Sequence, residues 1–130
     1  MQAKELMALI VRALDNKKAQ NLEVLSMEGI SDIGDYFIIA TGSSSTQMKA
    51  LADAVMEAAA KEGVFPHHQE GYQTAVWVLQ DYGDVVLHIF NTESRGFYSL
   101  EHLWADAKRV DLSGLLTEEE KGGNDDGNRI

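Results

Sequence analysis

Residues 74–90 read TAVWVLQDYGDVVLHIF, and the fold is decided by how this stretch is parsed. Two runs rich in Val, Leu, Ile and aromatic residues flank Asp81-Tyr82-Gly83-Asp84, a polar cluster whose glycine permits a tight reversal. That pattern predicts two antiparallel strands joined by a short loop. Alternation in the first strand groups Ala75, Trp77, Leu79 and Asp81 on one side, with Val76, Val78 and Gln80 on the other. One side must meet a core, and the other then presents either Trp77 or a row of valines. The alternation alone leaves both choices open.

Downstream, residues 91–98 connect to a predicted helix with Ser99 as N-cap and Glu101 in its first turn. Leu100, Leu103, Trp104 and Ala107 share its inward face, and Val110, Leu112, Leu115 and Leu116 supply one last packed segment. Residues 1–116 thus form the expected folded domain. Residues 117–130, ending EEEKGGNDDGNRI, are acidic, glycine-rich and nearly free of apolar groups. Such a segment buries too little to offset its ordering entropy, so a disordered tail is expected.

Upstream, residues 64–70 suit a short edge strand, where Pro66, the single proline, is tolerated. His67, His68 and Glu70 invite a metal reading. Adjacent strand residues point to opposite faces, so the two imidazoles would not converge, and solvated edge histidines are the better reading. His88 and His102 each lack a serine or carboxylate partner at a spacing diagnostic of acid–base chemistry.

Earlier still, residues 2–16 form an amphipathic pattern with Leu6, Leu9, Ile10, Ala13 and Leu14 on one stripe. Residues 22–27 and 35–41 read as strands, the second so continuously apolar that it should be covered on both faces. A second helix spans about residues 45–62, with Met48, Leu51, Ala52, Val55, Met56 and Ala59 inward and Gly63 as its stop. Ser44 and Gln47 form a capping-box pair at its start. The preceding Thr41-Gly42-Ser43-Ser44-Ser45 loop could hold an anion on free amides, but it lacks the lysine and glycine spacing of a phosphate loop. The sum is an α/β domain: a mixed sheet of about five strands with helices packed on it.

With 130 residues and a net charge of −10, the chain is a poor match for a nucleic-acid backbone. The last thirteen residues hold five acids and two bases, so the body still carries −7. Such a body suits a basic protein as partner. Cysteine is absent, which excludes disulfides, thiolate chemistry and cysteine zinc sites. No signal-peptide pattern or membrane-length apolar run occurs, so a cytoplasmic protein without membrane contact is expected.

Four motifs in order carry a resemblance. They are Asp35-Tyr36-Phe37 with Ala40-Thr41-Gly42-Ser43-Ser44, then Glu70-Gly71, then the hairpin from Trp77 through His88, then Arg95 and Phe97-Tyr98 leading to Trp104. Together they resemble the ribosomal silencing factor family, also called Iojap-related, over roughly residues 6–107. The resemblance implies a small α/β binding module, nucleotidyltransferase-like in fold, commonly a homodimer, with no cofactor and no bound metal. It implies binding to the large ribosomal subunit through that subunit's fourteenth protein, which blocks joining of the small subunit and lowers translation when nutrients are scarce. Carried over by position, Trp77 is the anchor, with Leu79, Asp81 and Tyr82 as neighbours, while Glu70 and Asp84 add charge complementary to a basic partner. Trp77 as plain core is the competing reading.

The competing function is a metal-dependent nucleotidyltransferase. That chemistry needs a Gly-Ser element followed by paired carboxylates on one strand face to hold magnesium. Gly42-Ser43 could serve as the first part. Asp53 and Glu57, however, sit at a four-residue step in a predicted helix, and Asp-x-Asp occurs nowhere. Kinship of fold is no evidence for catalysis.

Overall fold

The computed structural model describes residues 1–30, 34–92 and 107–116. In chain order its elements are α1 (Ala3–Asn16), β1 (Gln20–Ser26), β2 (Tyr36–Gly42), α2 (Ser45–Ala60), β3 (His68–Glu70), β4 (Trp77–Asp81), β5 (Val85–Asn91) and β6 (Lys108–Arg109). The expected third helix around Ser99 and Trp104 and the acidic tail lie outside the described residues.

The hairpin forms where the sequence places it. β4 and β5 pair antiparallel, with Trp77 opposite Phe90 and Asp81 opposite Val86. Tyr82 N donates to Val85 O at 2.9 Å, closing the ladder, and Asp81 Oδ1 accepts the Gly83 amide at 2.8 Å. Gly83 has φ +88°, a left-handed setting that glycine adopts without a Cβ penalty.

β5 then lies parallel to β2, and the six-stranded sheet runs β3-β4-β5-β2-β1-β6, antiparallel at every other junction. The sixth strand is a two-residue piece of Lys108 and Arg109 on the edge of β1. Two charged residues carry no alternation to read, hence the expectation of about five. Both edges are short, which limits unwanted strand pairing.

α1 and α2 cover one face. Val24, Ile38, Ala40, Val78, Val85, Leu87 and Ile89 meet the helices' buried side chains there. α2 buries Met48, Leu51, Ala52, Val55 and Ala59, while Met56 is half-buried. On α1 the buried stripe is Leu6, Met7, Ile10, Val11 and Leu14. Leu9 and Ala13 are only half-buried, lining an open groove beside Ala54 and Ala58 of α2. Apolar residues occupy more than half of this helix's circumference, so two overlapping stripes fit the periodicity. Contact with both the sheet and α2 selects between them.

Ser44 caps α2, its hydroxyl accepting the Gln47 amide at 3.1 Å. The return arm of the expected box lands one residue earlier: Gln47 Oε1 accepts from the amide and hydroxyl of Ser43. Gln47 Nε2 meanwhile reaches the Lys18 carbonyl at 3.2 Å, tying the start of α2 to the end of α1. Val110, Leu112, Leu115 and Leu116 pack against the same core as partly buried residues.

Candidate functional site

The other face of the sheet is built by the alternate residues of the same strands. β2 turns Phe37, Ile39 and Thr41 to it, β5 turns Val86, His88 and Phe90, and β4 turns Trp77, Leu79 and Asp81. Leu25, Met27, Ile39 and Phe90 form a second buried cluster there, with Phe37 and Ala107 packed on it. Among the described residues, a six-strand sheet with α1 and α2 on one face and an aromatic set on the other is therefore the frame of the site.

At its margin sits Trp77, 37% exposed. Its indole stacks on Phe90 with ring centroids 5.1 Å apart, and its Nε1–H donates to His88 Nδ1 at 3.1 Å. The His88 ring in turn lies 5.1 Å from Phe37 and is itself buried. Burial lowers its pKa to about 4, so the imidazole is neutral at physiological pH. Because Nδ1 accepts the indole proton, the ring's own proton belongs on Nε2. That nitrogen has no hydrogen-bond partner among the described residues.

The alternation expected upstream of Trp77 breaks at Ala75, whose φ is +53°. Ala75 is buried and Val76 is 39% exposed, so Val76 does not join Val78 and Gln80 on the helix-covered face. The segment before β4 is drawn close to it instead. Ala75 N donates to Gly71 O at 2.9 Å, and Gly71 (φ +79°) lies directly against the Trp77 carbonyl.

Of the residues singled out from sequence, Trp77, Leu79 and Asp81 share this face, and Glu70 of β3 pairs across from Leu79. Glu70 is exposed and contacts His68 Nε2. Tyr82 does not join them. It is buried against the helices, its hydroxyl donating to Gln80 Oε1 at 2.8 Å, and burial pushes its phenol pKa well up. Gln80 in turn donates to the Ala52 carbonyl at 3.1 Å and to Gln69 Oε1 at 2.8 Å. Asp84 is exposed at the far end of the hairpin, six residues from Phe90, the partner of Trp77, and so about 20 Å along the strand at the usual rise per residue. It lines a shallow concavity with Asp35 and Glu5.

His88 is the residue that sequence reasoning undervalued. A three-residue loop fixes the register, and that register places His88 beside Phe90, diagonal to Trp77 on one face.

Of the residues a nucleotidyltransferase would need, Gly42, Ser43 and Asp53 are otherwise engaged. Ser43 holds Gln47, and a Cβ on Gly42 would stand 2.7 Å from Met48 Cγ. Asp53 accepts the Tyr72 hydroxyl on both oxygens, at 3.0 and 3.1 Å, and Glu57 lines the groove between the helices. Among the described residues, no group of three or more His, Asp or Glu is placed to hold a metal ion. No described helix is long and apolar enough to cross a membrane.

A family model described as "Ribosomal silencing factor during starvation" matches residues 1–129. The chain is 44% identical over 117 residues to the ribosomal silencing factor RsfS of Halalkalibacterium halodurans, covering 90% of this chain and all of that protein. It is 41% identical over 112 residues to the RsfS of Bacillus subtilis, covering 86% and 95% respectively. An X-ray structure of a Chromobacterium violaceum protein superposes with a TM-score of 0.78 at 34% identity, covering 83% of this chain and 90% of that one.

Proposed function

This chain belongs to the family of ribosomal silencing factors during starvation, and from that premise we propose that it represses translation by steric obstruction. The Trp77 face docks on the large ribosomal subunit through that subunit's fourteenth protein. The docked domain then stands where the small subunit would join. No bond is made or broken, and the protein acts in the cytoplasm.

One observation carries this reading. A partly exposed indole stands on a stiff sheet, stacked on Phe90 and flanked by Leu79, with Asp81 and Glu70 at its border. An aromatic ring fixed by two torsions buries a large area at small entropic cost, which is what a binding anchor requires. The acidic border and the net charge of −10 favour a basic protein over nucleic acid. Asp84, at the other end of the hairpin, adds to the attracting field, while Tyr82 supports the strand from beneath.

The decisive experiment mixes the purified chain with isolated large subunits and follows sedimentation. Co-sedimentation, together with failure of those subunits to pair with small ones, is the expected result. Free pairing in the presence of bound protein would refute obstruction. The same runs read self-association, since a homodimer is part of the proposal.

A further inference from the structure

His88 sits in the middle of β5, nine-tenths buried, between Phe37 and Phe90. An apolar side chain of similar size would fill that place without a polar atom to satisfy. The imidazole instead leaves Nε2 without an acceptor among the described residues, which costs stability. What the imidazole supplies, and a hydrocarbon cannot, is Nδ1 as acceptor for the Trp77 indole N–H at 3.1 Å.

Among the described residues, the indole is the aromatic side chain of this face most open to solvent. Phe90 supports one side of the ring, but a stack tolerates sliding of the ring across it as the two side-chain torsions vary. A hydrogen bond at the indole nitrogen removes this freedom. A ring already held in one pose loses little entropy when a partner closes over it.

We propose that His88 is a positioning residue for the Trp77 anchor, its Nδ1 holding the indole in the docking pose before the partner arrives. The inference rests on the docking role given to Trp77 above, but its first readout needs no ribosome. The buried Nε2 donor is unfavourable for the fold, while the other nitrogen of the same ring serves binding.

The test compares His88→Leu, which removes the acceptor, with His88→Asn, whose Oδ1 falls near the position of Nδ1. The indole N–H resonance of Trp77 is identified by its loss in Trp77→Phe. In His88→Leu that resonance should shift and exchange faster with solvent, and affinity for isolated large subunits should fall roughly three- to tenfold, a single hydrogen bond's worth. The melting temperature should not fall. His88→Asn should restore most of the indole protection and most of the affinity.

An indole resonance and protection unchanged in His88→Leu would overturn the proposal. So would a lost affinity that tracks a lowered melting temperature and is not restored by Asn, since that pattern belongs to a merely structural residue. Nitrogen shifts of the His88 ring in the unaltered protein give a check that no folding defect can obscure. A proton on Nδ1 in place of Nε2 would sink the idea. If Trp77→Ala leaves subunit binding intact, the docking reading fails, while the indole resonance still decides whether His88 holds the ring.

Discussion

Gly71 and Trp77 meet backbone to backbone: a β-carbon added to Gly71 would stand 2.0 Å from the Trp77 carbonyl oxygen. This contact fixes how the loop after β3 delivers the chain into β4, and so where the indole begins. Gly71→Ala must both displace that carbonyl and hold a left-handed φ of +79°. Gly63 has a similar φ of +74° with nothing within 4 Å of its added Cβ. Gly63→Ala should therefore cost only the conformational strain, about 1 kcal/mol, whereas Gly71→Ala should cost about 3 kcal/mol and weaken subunit binding as well. Urea titrations of the two variants decide this, and equal losses would remove Gly71 from the account.

Trp77→Ala should leave the fold intact and weaken binding to large subunits by about 2 kcal/mol or more, the scale of an interface anchor. The reason is positional: the ring is stacked on Phe90, partly exposed, and does not lie between the sheet and α1 or α2. Circular dichroism with a pull-down separates the possibilities, because collapse of the fold would make the tryptophan a core residue. Binding should also weaken as salt rises, and Glu70→Gln should flatten that dependence.

Tyr82→Phe should do the reverse. Its hydroxyl donates to Gln80 Oε1 on the helix-covered side, so its removal leaves a buried oxygen without that donor. A loss of about 1–2 kcal/mol in stability is expected, with subunit affinity unchanged in the folded fraction. Weakened binding at full stability would return Tyr82 to the contact surface.

Much of this is legible in the sequence. The period of two and the Asp-Tyr-Gly-Asp reversal specify the hairpin, and Ser44 specifies the start of α2. Carried one step further, the same alternation puts Tyr82 with Val78 and Gln80, away from Trp77, and adjacency in sequence hides this. Which face of β4 is open depends on where α1 and α2 settle, a long-range outcome that local pattern does not encode. The left-handed Ala75 was unreadable for a related reason: alanine has no preference for that conformation, and the tight path from Gly71 to Trp77 imposes it. His88 reads as an isolated histidine until the hairpin register sets it beside the indole.

The burial of His88 also predicts a pH dependence with a definite sign. Its pKa falls from an ordinary 6.5 to about 4 because the charged ring would lose its hydration. Between these values the unfolded chain takes up a proton that the folded one refuses, so acid favours unfolding. The contribution is fully present above pH 6.5, shrinks as pH falls, and is gone by about pH 4, a loss on the order of 3 kcal/mol. His88→Leu removes the group, so the difference in unfolding free energy between variant and parent should widen steadily across that window and level off below it. Chemical denaturation at half-unit steps of pH measures the difference directly, and two parallel curves would show that His88 is not the titrating group. In the folded protein protonation takes Nδ1 away from the Trp77 indole only near pH 4, so the indole N–H should keep its protection while stability falls and lose it at the acid end of the window.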